Sequence, residues 1–194
     1  MSYNSMGNRI SFNQYRTMDL LFFALILAVC ESAVVKAATT FSSQPYVLST
    51  VPVVVCIVYM RWGVYGCLHA VLGGVVGCFV SKGTAAQYGI YCLGNLFSIL
   101  SLPLLMKVGK DRVRESVSWS LLYAFLVTVL MQIGRGLVAT LLGSPLGIVP
   151  KFILTDSLSV VFSLVVVWIC RRLDGVFEDQ KTYLLRINRE EGGA

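Results

Sequence analysis

The chain has 194 residues, 56% of them hydrophobic and only 13% charged, with a formal net charge of +6. Soluble domains carry about 25% charged residues, so a water-soluble globule is set aside. The basic balance does not indicate nucleic-acid binding, which needs a basic face free of lipid.

The chain opens with a polar segment, residues 1–17. Six apolar segments follow, at 20–37, 46–60, 62–80, 86–106, 117–142 and 148–170. A crossing takes roughly 20 apolar residues, and these runs are too long and uniform for barrel strands. The predicted fold is an all-α integral membrane protein of six transmembrane helices, residues 18–172. The second segment is short and holds Pro52, Pro103 should end or kink the fourth, and the fifth is the longest. Arg9 and Arg16 before the first segment faintly resemble a signal peptide, but Asp19 interrupts that pattern, so the segment is kept as the first helix.

Orientation follows from Lys and Arg. If the N-terminus is cytoplasmic, twelve lie on the inner side. Only Lys36, Lys82 and Lys151 lie outside, and Arg135 falls within a span, accounting for all sixteen. The positive-inside bias then places both termini in the cytoplasm. The six cysteines lie in apolar segments without a CxxC pair, and there is one histidine, His69. No metal site and no cofactor are expected. No HExxH, GxSxG or GxxxxGK[ST] signature occurs, and "GRGLVA" matches a dinucleotide fingerprint only formally, inside a membrane helix.

The last segment, 173–194, reads as a cytoplasmic amphipathic tail with Leu173, Phe177, Leu184 and Ile187 near one face. It suits a membrane surface, a partner, self-association or plain solvation. Asp174, Glu178 and Asp179 cluster there, most simply as a solvated face.

Intramembrane polar groups collect in one layer. With the first helix running outward, Glu31 sits near its outer end. Tyr91 and Asn95 fall in the outer half of the fourth helix, Gln132 and Arg135 in that of the fifth. Asp156 lies near the outer end of the sixth, with Lys151 above it. Intramembrane charges are functional candidates by default. The residues leave two readings of Arg135 open: a structural pair with Glu31 or Asp156, or part of a polar pocket open to the outside. In the pocket reading Arg135, Asn95, Tyr91, Gln132, Glu31, Lys151 and Asp156 bind substrate. The loops "TTFSSQPY", "SKGTAAQYG" and "GSPLGIVP" would then form a lid. Small residues recur at spacing four, as Ala24, Ala28 and Ser32 and as Gly66, Ala70 and Gly74, which lets helices approach closely. For Gly66–Gly74 the expected use is packing within the bundle.

Three stretches, "ALILA" at 24–28, "PVVVCIVYMRWGVYGCLHAVLGG" at 52–74 and "YCLGNLF" at 91–97, together with six helices, resemble the S component of an energy-coupling factor (ECF) vitamin transporter over residues of about 15 to 172. The resemblance implies a subunit of the cell membrane that captures a vitamin or related micronutrient from outside, in a pocket near the outer surface. It implies no ATP hydrolysis by this chain, and partners in a membrane T component and two ATPase subunits. By position it makes Ala24 and Ala28 the docking face. Two other classes compete: a small membrane scaffold or assembly protein, which needs no outer pocket, and a lipid-modifying enzyme, whose catalytic carboxylate or histidine set is not found.

Overall fold

A computed structural model describes residues 11–41 and 48–192. Every element among them is helical: α1 (Phe12–Thr40), α2 (Val51–Trp62), α3 (Gly66–Val80), α4 (Ala85–Leu96), α5 (Leu102–Val108), α6 (Lys110–Glu115), α7 (Val117–Leu141), α8 (Ile148–Thr155), α9 (Ser157–Cys170) and α10 (Gln180–Gly192). Four runs are long and apolar enough to cross a membrane, Phe12–Thr40, Val51–Val80, Ala85–Val108 and Val117–Leu141. The bent pair α8–α9 supplies a fifth.

The run from Val51 to Val80 is not straight. Gly63, at φ 59°, reverses the chain; that backbone favours a residue without a Cβ. A Cβ on Gly73 would lie 2.5 Å from the Val51 side chain, and one on Gly66 would enter the Tyr59 ring. The two helices therefore run antiparallel in contact, and the glycine stripe of α3 serves packing inside the bundle, as expected. The twelve-residue α2 is almost wholly buried. At 1.5 Å per residue it measures about 18 Å, well short of a hydrocarbon core of about 30 Å. Space is left beyond its N-terminus.

Several sequence expectations need correction. The longest helix is α1, with 29 residues, not the fifth segment. It begins at Phe12 because Ser11 and Gln14 close a reciprocal capping box, so residues 12–17 are helical rather than a separate polar segment. The fourth segment does break near Pro103, as expected, narrowing to a 3₁₀ turn at Phe97–Ser101 just before it, since proline cannot donate back to the preceding turn. The sixth segment is broken: α8 and α9 meet at 48°, with Asp156 at the joint.

The tail is not one amphipathic helix. Phe177 lies before α10 and is fully buried, its ring 6.4 Å from that of Tyr123 on α7. The acidic cluster is only partly a solvated face: Asp174 stays exposed, while Glu178 is buried. Asp174 and Glu178 pair with Arg114 and Arg186, and Asp179 lies 2.6 Å from Lys110. The segment closes this end of the bundle. There Arg61 is only 6% exposed. Its Nε and Nη2 reach the two carboxylate oxygens of Asp19 at 2.8 and 2.5 Å, and Nη1 donates to the carbonyls of Gly175 and Val176.

Candidate functional site

At the opposite end of α2 lies a cavity of about 470 Å³. Its walls come from α1, α3, α4, α7, α8 and the segment before α2, and they include Glu31, Ser49, Gly77, Tyr91, Asn95, Arg135, Phe152 and Asp156. Gln87, Ser81 and Thr39 border it from the predicted lid loops or their edges, while residues 42–47 of the first loop lie outside the described residues.

Three close helix contacts build the site. A Cβ on Gly94 would lie 2.6 Å from the Arg135 backbone, and one on Gly134 would lie 2.6 Å from the Phe97 side chain. These two glycines let α4 and α7 touch, which sets Asn95 beside Arg135. A Cβ on Gly136 would lie 2.7 Å from Val149 Cα, so α8 packs on the next face of α7 and the α8–α9 joint returns Asp156 to the same arginine. The glycines flanking Arg135 thus give "GRG" a packing role.

Arg135 is 4% exposed. Its Nε donates to Asn95 Oδ1 at 2.8 Å. Its Nη1 donates to Gln132 Oε1 at 3.2 Å and to Asp156 Oδ2 at 2.9 Å. The guanidinium stands 4.9 Å from the Tyr91 ring centroid, a cation–π distance. Nη2 has no acceptor among the described residues, so two of the five guanidinium donors remain for whatever fills the cavity. Around this arginine the scaffold is itself held. Asn95 donates to the Ala70 carbonyl at 2.9 Å, and Asp156 accepts from Gln132 and Ser159 as well as Arg135.

Glu31 sits on the facing wall and is not the partner of Arg135. Its Oε1 accepts from the Ser49 hydroxyl at 2.9 Å, and its Oε2 from the Thr50 amide and hydroxyl, both at 2.7 Å. Thr50 is the N-cap of α2, so the carboxylate lies at the positive end of that helix.

No protein-family model, curated protein or solved structure matches this chain. The site stands on its geometry alone.

Five of the seven sequence-chosen pocket residues, Glu31, Tyr91, Asn95, Arg135 and Asp156, line this one cavity. Gln132 is fully buried behind them, fixing Asp156 and Arg135. Lys151, expected at the mouth, is exposed on α8 and lies outside the lining; its neighbour Phe152 faces the cavity instead. The two readings of Arg135 also merge, since it pairs with Asp156 and still presents a free edge. Ala24 and Ala28 are half-buried on α1, at the flank of an exposed apolar face formed by Leu21, Phe22, Leu25 and Val29. Missed in the sequence were Ser49, Thr50 and Ser159, which hold the two carboxylates, and Gly94, Gly134 and Gly136. A glycine on each side of a charge within a span was the available signal.

Proposed function

We propose that the chain is the substrate-binding subunit of an ECF-type importer, capturing a small micronutrient from outside the cell membrane. The single observation that carries this reading is the cavity wall at Arg135: a buried cation, fixed by Asn95, Gln132 and Asp156, with two donors left over. A buried group held this firmly is preorganised for an acceptor-rich ligand. In this reading the antiparallel α2 and α3 cross separately, giving six crossings with both termini in the cytoplasm. The Arg61 and tail end faces inward, in keeping with its Lys and Arg content. A scaffold would have no use for such a cavity.

The chain hydrolyses nothing itself; a T component and two ATPase subunits do that work. The small side chains of Ala24 and Ala28 border the apolar face of α1 that supports docking. The test is purification of the tagged chain from its own membranes in mild detergent. ATPase subunits should accompany it, and the complex should hydrolyse ATP. Ala28→Trp should abolish that association while the isolated chain stays folded, because an indole blocks close helix approach. A chain that purifies without any ATPase, or an Ala28→Trp variant that keeps the complex, would refute the assignment.

A further inference from the structure

The charges around the cavity do not balance. Arg135 and Asp156 neutralise each other at 2.9 Å. Glu31, 5% exposed, has no cation within ion-pair distance among the described residues, and the stretch 42–47 contains no Lys or Arg. Its three donors, from Ser49 and Thr50, are all neutral. Capping α2 explains why this carboxylate is tolerated. It does not explain why the wall beside it is left open. A Cβ placed on Gly77 would meet only Glu31 Oε1, at 3.9 Å, so the glycine leaves space next to the carboxylate.

We infer that the cavity selects a small zwitterion, its protonated amine seated beside Gly77 against Glu31 and its carboxylate against the free edge of Arg135. The inference rests on reading the cavity as a ligand site and adds the charge pattern of the occupant. Apolar lining by Val35, Leu48, Val51 and Phe152 accepts an uncharged body between the two ends. A lone anion would meet Arg135 but leave Glu31 without a counter-charge, and a lone cation would neutralise Glu31 but leave the Nη2 donors of the already paired Arg135 without an acceptor. Removing one partner of a desolvated charge contact is penalised because the other stays buried.

The test measures binding to the purified full-length chain by calorimetry, using two matched sets. One is L-tryptophan, tryptamine and indole propionate; the other is L-leucine, isoamylamine and isocaproate. In at least one set the zwitterion should bind about tenfold or more tighter than both relatives, as a site with fixed polar partners rejects analogues that lack them. Glu31→Gln should erase the advantage of the zwitterion over the acid. Should that variant fail to fold for want of the α2 cap, Gly77→Leu fills the space beside the carboxylate and leaves the cap intact, with the same expected result. An acid that binds as tightly as its zwitterion, or no binding by either set, overturns the inference. A chain that carries ATPase partners yet fails this test loses the charge assignment only. One that passes it without such partners loses the importer reading only.

Discussion

Two buried arginines divide the labour of this molecule. At one end of α2, every guanidinium nitrogen of Arg61 has an acceptor: both carboxylate oxygens of Asp19 and two tail carbonyls take four of its five donors. At the other end, Arg135 lines a cavity and spends Nε and Nη1 on Asn95, Gln132 and Asp156, with no acceptor for Nη2 among the described residues. Each is paired with an aspartate and each lies by an aromatic ring, Phe23 for Arg61 and Tyr91 for Arg135. The difference is what remains unbonded. A satisfied arginine ties helices and tail together, whereas a partly satisfied one on a cavity wall is arranged for something else to complete it.

The largest expected effect is at the closed end. Arg61→Ala strands Asp19 with only the Trp62 indole as a donor and takes the Arg61 donor from the Val176 carbonyl, while Gln180 still donates to that of Gly175. Breaking a buried pair from one side costs about 3–5 kcal/mol, so thermal unfolding in detergent should show a severely destabilised or unfolded chain. A variant as stable as wild type would erase the contrast between the two ends. Next in size is Gly134→Ala, which forces α4 off α7 at Gly94 and Phe97. Overpacking of this kind costs about 1–3 kcal/mol, and ligand affinity should fall with it because Asn95 and Arg135 are displaced.

The smallest effect belongs to the ion pairs between the tail and α6. Lys110→Ala should change stability by about 0–1 kcal/mol, as for other solvent-accessible pairs. Acid should act on the same contacts. The hydrogen bond and charge of Arg186, with those of Arg114, hold Asp174 below the ordinary 3.8. At Asp179 burial pushes upward, but Lys110 and the Lys181 and Thr182 amides outweigh it and the net direction is down. Both folded values lie below the unfolded one, so the stabilisation is present above about pH 4 and is lost as pH falls through the folded values. Relative to the intrinsic exchange rate at each pH, the amides of α10 should lose protection on acidification in that range while those of α7 keep it. Equal loss of protection in both would show that the tail is not a separate clasp.

Much of the site was legible from depth alone. Counting residues from the ends of apolar segments puts Glu31, Tyr91, Asn95, Arg135 and Asp156 in one layer, because a helix converts residue number into height. Counting cannot supply azimuth, which depends on how neighbouring helices pack. Lys151 has the right height and the wrong face, and the choice of Asp156 over Glu31 as partner of Arg135 follows from the break between α8 and α9. The same limit hid the tail. Phe177 fits an amphipathic pattern by spacing, yet the turn at Gly175 (φ 71°) takes it into the bundle before α10 begins. Arg61, one of the twelve basic residues counted on the inner side, is buried for the same reason.

The central claim is that Arg135 completes a ligand site rather than merely a helix contact. The double variant Arg135→Gln/Asp156→Asn tests it most directly, since replacing both members of a buried pair by neutral groups of similar shape is often close to neutral for stability. Protein purified from its host membrane without ligand exchange is examined by native mass spectrometry, with its melting temperature as the control for folding. The account predicts a small-molecule adduct on the wild type and a folded double variant that has lost it. An identical adduct on both proteins, or a folded wild type that carries none, would contradict the account.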